Sequence, residues 1–200
     1  MEAPLAMPSA PGAREISWIQ DSAVSRSGSP FTLAEQVYVW PGQKWSVVVK
    51  LPSMSVEAGQ AWQAFFSDLN GEEGSFYVSD SAFLRTAELG LGLPELDGAH
   101  TSGSTVATRG WTPDRMVARK GQRVEIGGRC RQVIEDAYSD ATGLCRLRCW
   151  PHCRDLPDSL AVIWQEPRGV FRLRSVPEFT WDRNRLLAGF QFSADEVILP

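Results

Sequence analysis

Histidine and lysine are scarce in this sequence. Its 200 residues include two histidines and three lysines, and neither His100 nor His152 lies in the sequence context of a catalytic base. The motifs G-x-S-x-G, H-E-x-x-H, G-x-x-x-x-G-K-[ST] and G-x-G-x-x-G, which mark hydrolases, metalloproteases and nucleotide-binding proteins, are also missing. We therefore predict that the protein is not an enzyme, and we assign no catalytic residue.

Signals for export and membrane insertion are lacking too. No apolar stretch reaches the ~20 residues that a transmembrane helix needs. The opening residues, MEAPLAMPSAPGA, have neither the positive segment nor the apolar segment of a secretory signal. We expect a soluble protein without a membrane anchor, made in a reducing cytoplasm. Because Pro4, Pro8 and Pro11 exclude a helix, residues 1–13 are predicted to be an extended or disordered N-terminal arm, which is ordered only by lying on a neighbour or partner.

The four cysteines are spaced poorly for a single metal ion. Cys130, Cys145, Cys149 and Cys153 could supply thiolates to zinc or to an iron–sulfur cluster. If residues 144–150 form a strand, Cys145 and Cys149 lie ~13 Å apart at ~3.3 Å per residue. That is too far for ligands that each lie ~2.3 Å from one zinc ion. We predict free thiols and no cofactor; a site built from Cys149, Cys153 and Cys130 is the alternative.

Tryptophan, proline and glycine, by contrast, are abundant. Eight tryptophans and 30 prolines and glycines are spread along the chain, which is typical of many short strands and turns. The stretch VYVWPGQKWSVVVKL predicts two strands, residues 37–40 and 45–51, joined by a tight turn at residues 41–43. Large side chains alternate onto both faces of this hairpin. We expect a helix on one face and a second sheet or another subunit on the other.

One helix is predicted after the hairpin. The stretch VEAGQAWQAFFSDLNG repeats apolar residues with the 3.6-residue period of a helix. Ser55 is its predicted N-cap, Asn70 and Gly71 its C-cap, and residues 74–80 the next strand.

The tryptophans have two interpretations. Trp45, Trp62 and Trp181 are predicted to build the core, because aromatic stripes usually do. Exposure of several aromatic rings on one surface would instead indicate a carbohydrate platform.

The composition of the sequence and the length of its predicted strands change near the middle of the chain. Residues 87–104 are rich in glycine, proline and serine and are predicted to be a connector. Short alternating stretches such as QRVEIGG and GLCRLRCW follow, which is typical of a small, OB-like β-barrel. The later stretches PRGVFRLRSVPEFTWD and RLLAGFQFSADEV are predicted to return to the first sheet. We therefore predict a discontinuous outer domain, residues 14–95 and 164–200, with a barrel domain inserted at residues 96–163.

Positive charge is concentrated in one segment. Residues 109–154 carry ten Lys or Arg against five acidic residues, a net +5, whereas the rest of the chain carries a net −9. A solvated surface, a protein interface and a nucleic-acid surface all fit this pattern. A nucleic-acid-binding module using this Arg-rich barrel is our alternative function. Its only stacking candidates are Trp111, Tyr138 and Trp150, and we expect no sequence-specific recognition of nucleic acid.

The order of several stretches is similar to a known family. SPFT, VWPGQKWSVVVKLPSM, AWQAFFSDLNGEEGSFYVSD, TVATRGW, GQRVEIGG and PRGVFRLRSVPEFTW, in that order, resemble the distal tail proteins and related minor tail proteins of long-tailed (siphovirus-like) bacteriophages. The similarity runs from about Ile16 to Val197. The stretch LCRLRCWPHCR, which holds three of the cysteines, has no counterpart in the family pattern.

The resemblance implies a structural role at the tail tip of the virion. It implies a β-sandwich ring (belt) domain with one α-helix, which carries an additional small β-domain. It also implies a homo-oligomeric, hexameric ring, assembled in the host cytoplasm. Its implied partners are a tail-tube protein and the hub proteins that carry the host-recognition apparatus. Whether the barrel binds sugar or another tail protein stays open.

Overall fold

The protein is built mainly from two six-stranded β-sheets. The computed structural model describes residues 3–80, 90–181 and 187–198. This part of the chain contains one α-helix, so the predicted mainly β class with a single helix is confirmed. The described residues include no helix that is long and apolar enough to cross a membrane.

The first sheet combines strands from both ends of the chain. Its strands are β1 (Leu5–Ala6), β2 (Glu15–Gly28), β3 (Glu35–Lys50), β4 (Phe76–Ser79), β13 (Arg168–Leu173) and β14 (Gln191–Glu196). Their spatial order is β1-β4-β13-β14-β3-β2, and all neighbours are antiparallel except β1 and β4. The prediction that two late stretches return to this sheet is confirmed by β13 and β14.

The second sheet is a nearly closed barrel. Its strands are β5 (Gly92–Leu96), β6 (His100–Trp111), β8 (Arg123–Ile126), β9 (Arg129–Val133), β11 (Cys145–Leu156) and β12 (Val162–Ile163), in the order β12-β8-β9-β11-β6-β5. The two edge strands approach each other, since the Leu96 amide donates to the Leu160 carbonyl at 2.9 Å. A separate pair is formed by β7 (Met116–Ala118) and β10 (Ala137–Tyr138). The barrel encloses its own apolar core, and its separation from the first sheet as a folding domain stays a prediction.

Helix α1 (Val56–Asp68) covers one end of the buried face of the first sheet. Residues that pair across neighbouring strands share a face. Phe171 of β13 pairs with both Phe76 of β4 and Glu196 of β14, so Phe76 lies on the same face as Glu196 and, by alternation along β14, Phe192. The rings of Phe65 and Phe66 lie 5.6 Å and 5.2 Å from the rings of Phe76 and Phe192, centroid to centroid. The predicted apolar stripe is thus the surface that packs, and Trp62 lies fully buried within it.

The barrel covers the other end of the same face. Trp45 of β3 packs edge-on against Trp150 of β11 with ring centroids 4.5 Å apart. Its indole Nε1 donates to the carbonyl of Cys130 at 2.9 Å. One continuous face of the sheet therefore meets both the helix and the barrel.

The opposite face of the first sheet is polar. Ser46 Oγ donates to Asp195 Oδ1 at 2.7 Å, Lys44 Nζ donates to Asp195 Oδ2 at 3.0 Å, and Arg174 pairs with the same carboxylate. Lys44 and Arg174 are substantially exposed. Within the described residues no second sheet lies on this face, so a β-sandwich is not confirmed.

The predicted turn at residues 41–43 is wrong. Strand β3 continues through Pro41 and Gly42, and the chain reverses earlier, at residues 29–34. Proline is tolerated here for two reasons. The pairing of β3 with β2 shifts register between Ser22 and Val24, and the pairing of β3 with β14 ends at Ser46. The missing amide of Pro41 therefore breaks no regular ladder of hydrogen bonds.

The predicted connector is also wrong over most of its length. Residues 92–96 form β5, and β6 begins at His100; residues 87–89 lie outside the described part of the chain. The glycines instead allow close backbone approach. Gly110 has φ +84°, and a side chain there would meet the Leu93 carbonyl oxygen at 2.8 Å.

The N-terminal arm is ordered on its own chain, contrary to the expectation that it needs a neighbour. Strand β1 pairs in parallel with β4, and the Leu5 amide donates to the Ser75 carbonyl at 2.8 Å. The Pro11 carbonyl accepts a hydrogen bond from Trp62 Nε1 at 3.3 Å. Proline prevents a helix in this arm but not pairing at a sheet edge.

Trp45 and Trp62 are core residues as predicted, whereas Trp181 is not. Its side chain is 37% exposed and covers Gly59 of α1 from outside. The neighbouring residues 182–186 lie outside the described part of the chain.

Candidate functional site

The candidate site is a two-stranded ribbon that extends beyond the rest of the first sheet. We define the ribbon as residues 22–43, which lie within the part of the sheet where β3 pairs with β2 alone. Nine residues of β3 lie in it, which corresponds to a length of roughly 25 Å. Its tip is closed by Ser29, whose amide donates to the Ala34 carbonyl at 2.9 Å.

The ribbon exposes large apolar side chains on both faces and at its tip. The most exposed are Phe31 at 94%, Leu33 at 85% and Val39 at 71% of their surface. The other exposed apolar side chains are Val24, Val37, Tyr38 and Trp40. Val37 and Val39 point to one face, and Tyr38 and Trp40 to the other, because side chains alternate along a strand.

Such a ribbon is unfavourable in an isolated chain. A two-stranded hairpin is at best marginally stable in water, and contiguous exposed apolar surface usually marks an interaction site. This ribbon buries neither of its faces against its own chain. Its surface is therefore suited to be covered by another molecule.

The barrel holds the base of the ribbon in place. Gln43 bonds the barrel twice: its carbonyl accepts from Arg129 Nη2 at 3.0 Å, and its Oε1 accepts from the His152 amide at 2.9 Å. Arg154 also donates to the Pro41 carbonyl. The ribbon thus projects from a fixed base in a defined direction.

The Arg-rich segment does not form a single open basic surface. Arg123 and Arg131 are buried, and Arg109 and Arg129 pair with carboxylates. Arg146 lies exposed on the outer face of β11.

Two of the three stacking candidates in this segment are covered. Trp111 is buried in the barrel, and Trp150 packs on Trp45. Tyr138 alone of the three has a largely exposed ring.

The four cysteines are buried free thiols. Burial raises the pKa of Cys130 and Cys149 to about 12 and that of Cys145 to about 11. Burial also raises the pKa of Cys153, and a raised pKa lowers the reactivity of a thiol as a nucleophile. Within the described residues, no group of three or more His, Cys, Asp or Glu side chains is arranged to hold a metal ion.

The structure also contains features that the sequence analysis did not single out. The exposed Phe31 and Leu33 follow the turn-forming residues Gly28, Ser29 and Pro30. Two large apolar residues within a turn segment were the sequence signal that could have indicated this exposed tip. The buried ion pair of Arg129 and Glu196 gave no sequence signal, because its members are 67 residues apart.

Comparison of the chain with family models and with curated proteins found no match.

Proposed function

We propose that the protein is a structural virion protein of a bacteriophage tail tip. Six copies form a ring that joins the tail tube to the central hub and the host-recognition apparatus. The proposal makes it a non-enzymatic assembly protein that acts in the virion after assembly in the host cytoplasm. The number six and the partners rest on the sequence resemblance to distal tail proteins.

The observation that carries the proposal is the apolar ribbon. Phe31, Leu33 and Val39 are too exposed to stabilise a monomer, whereas a neighbouring subunit can bury them. A contact of this kind joins unlike surfaces of successive subunits, and such head-to-tail contacts close into a ring under cyclic symmetry. The fixed base of the ribbon at Gln43 supports a defined angle between subunits.

The β-sandwich of the resembled family belongs to the same proposal. One face of the first sheet is covered by α1 and the barrel, and the polar face around Asp195 is left for a second layer. In the ring, that layer comes from an adjoining subunit or from a tail partner. The mixture of Lys44, Asp195 and Arg174 suits a hydrated, charged contact.

The nucleic-acid alternative has one supporting observation, the exposed basic side chains on the barrel, such as Arg146. The barrel itself offers no row of open aromatic rings, since Trp111 and Trp150 are covered. We therefore keep it as an outcome of the test.

The proposal is tested by the mass and shape of the purified protein. We expect light scattering and electron microscopy to show rings of six, and the double substitution F31S/L33S to yield folded monomers. L93S is a matched control, because Leu93 is 89% exposed on the barrel edge, away from the ribbon. Rings that persist in F31S/L33S, or a wild-type monomer that binds single-stranded DNA, would exclude this assembly.

A further inference from the structure

Arg131 is a buried cation that the proposed assembly role leaves unexplained. Its side chain is 2% exposed and lies at one end of the barrel. Its Nη1 donates to the carbonyls of Pro151 and His152 at 2.9 Å and 2.8 Å. Its Nε has no hydrogen-bond partner, and no carboxylate forms an ion pair with it, among the described residues.

An uncompensated guanidinium is costly in a protein interior. The backbone carbonyls of Pro151 and His152 satisfy two of its hydrogens but carry no net charge. Removal of the group from water disfavours its charged form, and burial accordingly lowers the pKa of Arg131. Arginine nevertheless stays protonated in proteins, so the charge calls for a counter-ion.

Arg131 lines a cleft of about 450 Å³ between the base of the ribbon and the end of the barrel. Arg129 and Arg154 also line it. Glu196 neutralises Arg129, and Asp155 is the acidic residue on the rim. Among the described residues, three guanidinium groups thus face two carboxylates, which leaves an excess of positive charge.

The cleft is also shaped to admit a small group. Its wall includes Gly127 and Gly128, which have no side chains to fill it, and the exposed His152. A charge-assisted hydrogen bond is stronger in such a partly enclosed place than at an open surface.

We propose that this cleft is a binding site for an oxyanion, the carboxylate or phosphate group of a ligand. The oxyanion accepts hydrogen bonds from Arg131 at the bottom of the cleft and from Arg154 at its rim. The flat, forked guanidinium matches the two oxygens of either group. The site is independent of ring formation, because all the groups named belong to one chain.

Calorimetric titration with inorganic phosphate and, separately, with succinate tests the site at constant ionic strength. We expect saturable binding of one anion per chain and about tenfold weaker binding in R154Q, the usual effect of one charged hydrogen bond. R146Q, which removes an exposed arginine from the outer face of β11, is the matched control and should bind as the wild type does. Phosphate alone would identify a phosphate ligand, and succinate alone a carboxylate ligand.

Thermal unfolding of R131M provides a second readout. We expect R131M to fold, because an unpaired buried charge is replaced by an apolar chain, and to lose the anion-dependent rise in Tm. The proposal is overturned if neither anion saturates, if R154Q and R146Q weaken binding equally, or if R131M binds as tightly as the wild type. If R131M does not fold, the comparison of R154Q with R146Q decides.

Discussion

Arg129 and Glu196 form a buried ion pair between the barrel and the first sheet. Arg129 Nε and Nη2 reach the two oxygens of Glu196 at 2.9 Å and 2.7 Å, and the Glu196 side chain has no exposed surface. Glu196 also accepts the amide of Trp45 at 3.0 Å. Because the two residues come from different sheets, this pair fixes how the sheets meet.

Breaking the pair on one side should cost more stability than removing both partners. E196A removes the carboxylate that neutralises Arg129 and leaves the Trp45 amide without its acceptor. We expect a loss of about 3 kcal/mol in the free energy of unfolding. The double variant R129M/E196L should recover part of that loss, since apolar groups can replace a buried pair.

Urea unfolding followed by tryptophan fluorescence measures these changes. E135A is the control, because Glu135 meets Arg148 in an exposed pair at 3.6 Å and such pairs contribute little. An E196A midpoint equal to that of E135A would contradict a structural role for the buried pair.

The surroundings of Asp195 predict that the stability of the fold depends on pH in the acidic range. Burial acts to raise its pKa, but hydrogen bonds from Arg174, Ser46 and Lys44 outweigh burial and lower the pKa to about 2. A lowered folded-state pKa stabilises the fold above the unfolded value of about 3.9, and this contribution is lost as the pH falls toward 2. We expect D195N to lose stability less steeply than the wild type between pH 4 and pH 2.

D140N is the comparison for this experiment. The pKa of Asp140 is also lowered, chiefly by the hydroxyl of Thr142 and then by local amides, but Asp140 lies in an exposed loop of the barrel. Acid unfolding curves that superimpose for the wild type and D195N would show that the Asp195 network does not contribute.

At the scale of elements, the parts of the fold that the sequence predicts are those set by local periodicity. Helix α1 occupies the predicted stretch because its apolar residues keep the 3.6-residue period of a helix throughout the segment between Ser55 and Asn70. The return of β13 and β14 follows from their alternating pattern. The barrel likewise follows from short alternating strands with turns between them.

The errors occur where long-range pairing overrides a local signal. Pro41 and Gly42 are a common turn pair, yet β2 holds this stretch in β3 and places the reversal near Phe31. Gly92 belongs to the stretch predicted to be a connector, yet it lies in β5, where it and Gly110 allow two backbones of the barrel to approach. The partner strand decides such cases, and a single sequence does not specify it.

The connection between α1 and β4 leaves no room for a side chain at Gly74. A Cβ atom there would lie 2.7 Å from the Leu69 carbonyl oxygen and 2.9 Å from its Cα, which are backbone atoms that cannot rotate away. The Gly74 amide also donates to that carbonyl at 2.8 Å. We expect G74A to destabilise the protein by about 1–3 kcal/mol, the range for overpacking.

G12A is the matched control for G74A. A Cβ at Gly12 meets nothing closer than 3.8 Å, so its Tm should stay within the error of the wild type. Equal melting temperatures for G74A and G12A would show that the turn after α1 relaxes without cost.

At the scale of the whole molecule, two features support the proposed assembly. The ribbon displays apolar surface that the chain does not bury, and the net +5 of residues 109–154 contrasts with the net −9 elsewhere. Opposite charges on different parts of one chain can steer like subunits into a head-to-tail contact. In the proposed ring, the ribbon supplies the apolar contact area.

The sharpest test of this view removes the ribbon and keeps both cores. Ser22 and Gln43 are paired across β2 and β3, so residues 23–42 can be replaced by Asn-Gly, which favours a two-residue hairpin turn. The two apolar cores contain no residue of the deleted stretch. Gln43 also keeps its bonds to Arg129 and His152.

We expect the shortened chain to be a soluble, folded monomer with circular dichroism and cooperative unfolding like those of F31S/L33S. It should form no rings, because the surface that we propose a neighbour covers is gone. A shortened chain that still assembles would place the contact between subunits elsewhere, and the polar face around Asp195 would then be the surface to alter.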